Sequence, residues 1–211
     1  MKMQEDQDVV IVGPGIAGLA TAVALKKVGI RALVLEKSQG LRATGATLSL
    51  YPNAWASLDA FGVSHKLKSF YSPCTRSGAV LRVVHRKALL EALAEELPME
   101  TIRFSSNLTS ITNQAQEGSS PHVALIKMED GTTINAKPMG GAWVGHVSPR
   151  PWVEPRLQTI CDAMHPMTPD LGQNECVALE DALVLGQQLG GLITPKKSCA
   201  CSGGQSLRKI C

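Results

Sequence analysis

Concentrated charge, long apolar runs and aromatic side chains are all scarce in this chain. The net charge is only +3 over 211 residues, and aromatic residues make up 4% of them. There is no basic stripe with interleaved aromatic residues, so nothing favours a nucleic-acid partner. No apolar run reaches the roughly 20 residues that a membrane-spanning helix needs. The 44% apolar content is enough for a sizeable core, so we expect a globular protein without a transmembrane segment.

The chain also lacks cysteines and histidines at the spacing typical of metal ligands. Six cysteines are scattered along the chain without a Cys-X-X-Cys pair, and none has a histidine at ligand spacing, so we expect no metal site. Residues 1–7 are polar and carry Glu5 and Asp6, unlike a signal peptide. We therefore interpret the cysteines as reduced thiols of a cytoplasmic protein. Cys161 and Cys176 lie within apolar patterns, which favours small buried side chains.

The most informative stretch is residues 8–18, where an apolar run turns on three glycines into a helical pattern with apolar residues at three- and four-residue spacing. The apolar run predicts a strand buried on both faces. Gly13 permits the tight turn after it, Gly15 removes the Cβ that would block a pyrophosphate, and Gly18 lets the helix lie close to the strand. The helix then points its free amides and positive end at phosphate. These features are typical of dinucleotide binding.

A second predicted strand, residues 31–35, ends on Glu36, which lies 18 positions after Gly18. This is close to the spacing at which a carboxylate binds the adenosine ribose hydroxyls. A carboxylate repels a 2′-phosphate, so the acid favours NAD or FAD over a phosphorylated dinucleotide. The pattern alone does not choose between these two cofactors. The alternative is a glycine-rich turn that binds nothing.

The rest of the chain predicts further helices and strands. Pro52 is suited to the first position of a helix that ends at Gly62, and Arg86 opens an amphipathic helix that Pro98 stops. Asp130-Gly131 is the clearest hairpin turn, within an antiparallel meander. Predicted strands cover residues 80–84, 101–104, 108–112, 122–128, 132–136 and 157–161, and a last helix covers about 175–189.

Two segments lack this order. Residues 137–156 contain four prolines and two tryptophans, which is unlike the interior of a sheet. Residues 194–211 carry four cationic side chains, no acid and little apolar mass, and disorder is the expected state of this tail.

Three separated blocks resemble the aromatic-hydroxylase class (class A) of FAD-dependent monooxygenases, and the plant branch of that family is the most similar. The blocks are residues 13–18 with Glu36, residues 84–89, and residues 162–173 with 178–182. The third block is the most specific, and an NAD-only dehydrogenase has no reason to contain it. The resemblance implies FAD as the bound cofactor, NAD(P)H as a transient reductant, and an α/β fold. That fold is a Rossmann-like parallel sheet with helices on both faces and a small antiparallel meander.

The resemblance also implies which residues bind the cofactor, because the positions of the three blocks match positions of known role in the family. It assigns the ADP half of FAD to the first block, Arg42 and Arg86 to the pyrophosphate or ribityl chain, and Asp162 to a ribityl hydroxyl. A cation at a helix start is electrostatically disfavoured, which indicates an anion near Arg86. The alternative for both arginines is a solvated surface residue, and for Asp162 it is a turn-initiating one. The implied cofactor-binding residues are Gly13, Gly15, Ala17, Gly18, Glu36, Arg42, Arg86, Asp162 and Gly172.

The chain departs from the family pattern at two glycine sites and in length. Cys161 replaces the glycine before Asp162, and Asn174-Glu175 replaces a glycine pair. Both changes would crowd the flavin, and the new carboxylate would oppose its negative charge. Where the family has a further parallel strand, a Gly/Asp-rich fingerprint and a substrate-binding sheet, this chain has only the 20 residues 137–156. We therefore predict an internally shortened member whose substrate-domain sheet is largely missing, with an FAD-binding domain at 1–193 and a basic tail at 194–211.

The function that the resemblance implies is NAD(P)H- and O2-dependent hydroxylation of a small organic substrate through a flavin C4a-hydroperoxide. Without a covering sheet, we expect a solvent-exposed flavin that releases hydrogen peroxide. The alternative is a catalytically inactive FAD-binding remnant, which the lost glycines and the missing sheet favour. An NAD-dependent dehydrogenase is disfavoured, because the sequence offers no candidate pair for proton transfer.

Overall fold

The computed structural model describes residues 4–42, 47–76, 78–114, 123–136, 144–145, 158–159 and 172–193. The strands are β1 Gln4–Gln7, β2 Val9–Val12, β3 Ala32–Leu35, β4 Thr47–Leu50, β5 Cys74–Arg76, β6 Ala79–His85, β7 Ile102–Arg103, β8 Leu108–Gln114, β9 Val123–Met128, β10 Thr133–Ala136, β11 Val144–Gly145 and β12 Gln158–Thr159. The helices are α1 Ile16–Lys27, α2 Pro52–Phe61, α3 Ser64–Lys68, α4 Arg86–Ala94 and α5 Asn174–Ile193, and a 3-10 turn covers Met99–Thr101.

A parallel sheet in the order β12-β11-β2-β3-β7 forms the centre of the fold. Most residues of β2 and β3 are buried, as the apolar runs predict. Because all of these strands run the same way, their carboxyl ends meet at one edge of the sheet, which is where ligands bind in open α/β sheets. The predicted α/β class is confirmed.

The two faces of the parallel sheet pack against different partners. Successive side chains of a strand point to opposite faces, and one set lies in a core with the helices. The other set packs against the antiparallel meander of β8, β9 and β10, to which β1 adds in parallel. The sequence predicts helices on both faces, whereas in the described part of the chain the meander covers the second face. The first set is Val9, Ile11 and Val34, and the second is Val10, Leu33 and Leu35.

Helix α1 is buried on nearly all sides because it packs against the parallel sheet and against α5. Its pattern predicts one apolar stripe, but every residue from Gly18 to Leu25 is buried. The two helices approach closely at glycines of α5. A Cβ on Gly186 would lie 2.5 Å from Ala24 Cβ, and one on Gly190 would lie 2.8 Å from Val28 Cβ. These glycines therefore determine where α5 crosses α1.

Most predicted elements are confirmed to within a few residues. Helix α2 begins at Pro52 and ends at Gly62, whose φ of +80° is left-handed, and α4 begins at Arg86. The Asp130-Gly131 turn joins β9 to β10, with Gly131 at φ +83°. Helix α5 is longer than predicted. None of the helices that the structure describes is both long enough and apolar enough to span a bilayer.

The prediction that residues 137–156 contribute nothing to a sheet interior is wrong at β11. This strand lies between β2 and β12 and pairs in parallel with both. Two residues are too few for a recognisable hydrophobic period, and the surrounding prolines dominate the pattern. The sequence also predicts no strand at β1, β4 or β5. The predicted tail, 194–211, lies outside the described residues.

Candidate functional site

The turn between β2 and α1 has the geometry that its three glycines predict. Gly13 has a φ of +96°, which favours glycine, and its amide donates to the carbonyl of Leu35 at 2.8 Å. A Cβ on Gly18 would lie 2.1 Å from the carbonyl oxygen of Gly13, so only glycine allows α1 to approach the strand this closely. A Cβ on Gly15 would meet nothing within 4 Å. Gly15 therefore faces open space in which a ligand can contact the backbone.

The amino terminus of α1 is open to an anion. Gly15 is its N-cap and supplies no side-chain hydrogen bond, and the first turn, which the structure describes completely, contains no acidic residue. Ala17 lies half-buried in this turn. The free amides and the positive end of the helix dipole are the elements of a phosphate site. The backbone amides at the start of α1, rather than charged side chains, therefore make this position suitable for a diphosphate.

Helix α5 begins at the same end of the molecule as α1. The paired positions Gly186 with Ala24 and Gly190 with Val28 are four residues apart on both helices, so the two helices run parallel. Their amino termini therefore point in the same direction, towards the carboxyl edge of the sheet. Two positive helix ends at one edge favour a negatively charged ligand there.

Glu36 lies at this edge, directly after β3. Its amide donates to the carbonyl of Arg103 at 2.9 Å, and its carbonyl accepts from the amide of Ser106 at 2.8 Å, so its backbone is held on both sides. The side chain is half-buried. Its Oε1 accepts a hydrogen bond from the amide of Ser38 at 2.8 Å. One carboxylate oxygen is thus oriented by the protein, and Oε2 has no partner among the described residues.

Arg42 joins this group through Ser38. Its Nε donates to Ser38 Oγ at 2.8 Å, while the rest of the guanidinium is exposed. The structure therefore brings Gly13, Glu36 and Arg42 to one edge. Ser38, which links Glu36 to Arg42, is absent from the sequence prediction, because a serine in a loop carries no distinctive pattern.

A polar hollow of about 280 Å³ opens at the segment that follows β7, where the amide of Ser106 donates to the carbonyl of Glu36 at 2.8 Å. Its wall includes Ser105, whose amide donates to the carbonyl of Ser38 at 2.9 Å and whose φ of +52° is left-handed. Such a conformation is uncommon for a serine. The sequence reasoning missed this hollow, because its walls come from separate segments that only the fold brings together. The lining residues are Ser105, Ser106, Asn107, Met128, Glu129 and Asp130.

Arg86 and the start of α5 both adjoin β4. Thr47 of β4 pairs with His85, which places Arg86 just beyond that end of the strand, and the thiol of Cys176 lies 3.8 Å from the carbonyl oxygen of Ser49. Thr47 and Ser49 are two residues apart, or about 7 Å along a strand. Arg86 is half-buried, and its guanidinium has no acceptor among the described residues. This agrees with an anion partner that the described residues do not supply.

The first two turns of α5 contact two neighbouring elements, α2 and β4. Asn53 Nδ2 donates to Glu180 Oε2 at 3.1 Å, and the thiol of Cys176 contacts β4. Burial raises the pKa of the Cys176 thiol to about 11, so the thiol is neutral at physiological pH. This confirms the interpretation of Cys176 as a small buried side chain.

Gly172 precedes α5 with a left-handed φ of +56°, and Asn174 and Glu175 form the start of the helix. The amide oxygen of Asn174 is buried without a hydrogen-bond partner in the described part of the chain. Asp162, the remaining predicted site residue, lies outside the described residues, as does Cys161. Among the residues that the structure describes, no group of three histidine, cysteine or acidic side chains could hold a metal ion.

Comparison with known proteins identifies one family. The model of the FAD binding domain family matches residues 6–142. Monooxygenase 2 of Arabidopsis thaliana is 37% identical over 178 residues, which cover 71% of this chain and 42% of that protein. Monooxygenase 1 of the same plant is 33% identical over 154 residues, which cover 65% of this chain and 38% of that protein. The chain spans about two fifths of the length of these relatives.

Solved structures share the fold at low identity. Klebsiella pneumoniae HpxO, complexed with FAD and uric acid, has a TM-score of 0.66 and 15% identity, and the alignment covers 88% of this chain and 80% of HpxO. PqsL of Pseudomonas aeruginosa, in complex with 2-aminobenzoylacetate, has a TM-score of 0.69 and 14% identity, with 88% of this chain and 86% of PqsL covered. At these identities the likeness shows the fold alone.

Proposed function

Because this chain belongs to the class A family of FAD-dependent monooxygenases, we propose that the carboxyl edge of its parallel sheet binds FAD through the ADP half. The observation that carries this proposal is the pair of glycines with opposite surroundings. Gly18 has no room for a Cβ, whereas Gly15 faces open space. This is the arrangement in which the backbone can approach a pyrophosphate at a helix amino terminus.

We assign the parts of the ADP half to neighbouring groups. The pyrophosphate lies against Gly13, Gly15, Ala17 and Gly18 at the start of α1, where the free amides from Gly15 to Gly18 donate to its oxygens. Glu36 Oε2 accepts from a ribose hydroxyl. The hollow lined by Ser105 and Ser106 is joined to Glu36 by the Ser106 backbone hydrogen bond, and we assign the adenine end to it. These assignments agree with the half-buried, oriented carboxylate of Glu36.

The flavin end of the cofactor lies towards α5 in this proposal. Arg86 supplies positive charge to the pyrophosphate or the ribityl chain, and Asp162 and Gly172 lie near the ribityl chain and the ring. The amino terminus of α5 would favour a negatively charged ring, while Glu175 in its first turn opposes that effect. Bound FAD supplies the redox chemistry, with NAD(P)H as the electron donor, O2 as the oxidant and a small organic molecule as the substrate to be hydroxylated.

A second candidate function is FAD binding without productive turnover. The observation that favours it is length, since the chain spans about 42% of Monooxygenase 2. In this candidate the region 137–156 is an internal shortening that removes most of the substrate domain.

Titration of the purified chain with FAD and with FMN tests the proposal. FMN has the flavin and one phosphate but lacks the AMP portion of FAD. The proposal therefore predicts saturable binding of FAD, competition by ADP, and weak or no binding of FMN. Equal affinity for FAD and FMN would contradict the assignment to the ADP half. A measurement of product alongside NAD(P)H consumption separates the two candidate functions.

A further inference from the structure

Ser38 uses all three of its polar groups to connect parts of the candidate site. Its amide donates to Glu36 Oε1 at 2.8 Å, its Oγ accepts from Arg42 Nε at 2.8 Å, and its carbonyl accepts from the amide of Ser105 at 2.9 Å. A loop residue that is fully engaged in this way fixes the positions of its partners. Here the partners are the predicted ribose acceptor, a predicted phosphate-binding cation and a wall of the hollow.

Ser38 also keeps two opposite charges apart. Glu36 and Arg42 lie within hydrogen-bond reach of the same residue, yet no ion pair joins their side chains in the described structure. An exposed arginine is free to fold onto a nearby carboxylate. If Arg42 did so, its guanidinium would occupy the carboxylate oxygen that a ribose hydroxyl needs. The hydrogen bond to Ser38 Oγ uses Nε, and within the described structure neither terminal amino group of Arg42 is hydrogen-bonded to Glu36.

We propose that Ser38 is a positioning residue that holds Glu36 and Arg42 as separate acceptor and donor groups for the two halves of an ADP moiety. The amide of Ser38 orients the carboxylate towards the ribose, and its hydroxyl holds the guanidinium fork towards the diphosphate, where paired donors bind phosphate oxygens well. This inference rests on the proposed function, because it takes FAD as the ligand.

The test is a set of FAD titrations with the full chain, using Ser38→Ala, Ser38→Gly, Ser38→Thr, Arg42→Ala and the double variant Ser38→Ala/Arg42→Ala. Loss of the hydroxyl removes one hydrogen bond to a charged group, so Ser38→Ala should raise the Kd for FAD about three- to tenfold. Ser38→Thr keeps a hydroxyl and should stay within about twofold of the wild type. Ser38→Gly replaces Ser38→Ala if the latter fails to fold.

Two readouts distinguish positioning from a structural role. Arg42→Ala should weaken binding less in the Ser38→Ala background than in the wild type, because both changes disable the same guanidinium. The decrease of affinity with salt should become shallower in Ser38→Ala, as in Arg42→Ala. Arg31→Ala is the matched control. Arg31 is exposed and pairs with Asp8 at 3.4 Å, at the opposite edge of the sheet, and its removal should leave the Kd unchanged.

Three results would overturn the inference. Wild-type affinity in both Ser38→Ala and Ser38→Gly, or fully independent effects of the two substitutions, would exclude positioning by Ser38 while leaving FAD binding intact. Failure of the wild-type chain itself to bind FAD would remove the proposed function and this inference together.

Discussion

Individual glycines divide into those that the fold requires and those that a ligand requires. We predict that Gly18→Ala destabilises the protein by about 3 kcal/mol or more, the upper range for overpacking, because the new Cβ would lie 2.1 Å from the carbonyl oxygen of Gly13. Gly15→Ala should change the free energy of unfolding by no more than about 1 kcal/mol, since its Cβ meets nothing within 4 Å. Chemical unfolding of both variants gives these values.

The substitutions at Gly15 and Gly18 also distinguish an effect on FAD binding from an effect on folding. Gly15→Ala should raise the Kd for FAD roughly tenfold, which corresponds to about 1.4 kcal/mol, although its fold is preserved. A Gly15→Ala variant that folds normally and binds FAD as tightly as the wild type would show that the pyrophosphate does not contact this turn.

Cys176 makes the stability depend on pH in the alkaline range. Burial raises the pKa of its thiol from 9.0 to about 11, so between these values the unfolded chain has lost the thiol proton and the folded chain retains it. The contribution of the protonated thiol to the free energy of unfolding is therefore fully present below pH 9. This contribution is lost as the pH rises towards 11. We predict that the stability advantage of the wild type over Cys176→Ala decreases over this range. Urea unfolding of both proteins at several pH values tests this, and a constant difference would contradict it.

At the scale of elements, the crossing of α5 on α1 depends on backbone contact at glycine. Gly186→Ala places a Cβ 2.5 Å from Ala24 Cβ, so we predict a net loss of about 1–2 kcal/mol after the gain in helix propensity is included. Gly191→Ala is the control on the same helix. Its Cβ meets nothing within 4 Å, so it should be neutral or stabilise by up to about 1 kcal/mol. Equal thermal stabilities of the two variants would contradict this account of the crossing.

The elements that the sequence predicts are those with a strong local pattern. The glycine turn, Pro52 at the start of α2 and Asp130-Gly131 in the hairpin each encode a backbone conformation in the residues themselves, and the structure confirms all three. The missed strands have no such signal. β1 is polar and, in the described part of the chain, lies at the edge of its sheet beside β10. β11 consists of two residues whose pairing depends on β2 and β12.

The sequence predicts those site residues that a fixed spacing identifies, and it does not predict those that tertiary contacts bring together. Glu36 is recognisable by its distance from Gly18. In contrast, Ser38 contacts Ser105, 67 positions further along the chain, and the hollow joins residues 105–107 to residues 128–130. The parallel arrangement of α1 and α5 is likewise a property of their packing. Sequence patterns identify the cofactor class, and the fold is needed to show how the site is assembled.

On the scale of the whole molecule, the central question is what the chain retains of its family. It keeps the parallel sheet, the glycine turn and a C-terminal helix, while it spans about 42% of Monooxygenase 2. In the second candidate function most of the substrate domain is missing. A bound flavin would then be open to water, and water exclusion is one of the tasks of a hydroxylase site.

We therefore predict that the FAD-loaded chain oxidises NAD(P)H, if at all, with release of hydrogen peroxide. The peroxide formed should approach the amount of NAD(P)H consumed, with or without small aromatic compounds present. Peroxide and NAD(P)H assays run in parallel test this. Close coupling of NAD(P)H consumption to a hydroxylated product would contradict it and would favour the complete monooxygenase function.

FAD binding at the carboxyl edge of the sheet can be measured from the visible absorption spectrum of the purified chain after incubation with FAD and removal of free cofactor. The flavin released on denaturation is then quantified. We predict a flavin spectrum and about one FAD per chain, with much less in Gly15→Ala. A folded wild-type protein that retains no flavin would show that its family membership reflects ancestry and that the carboxyl edge of the sheet is not an FAD site.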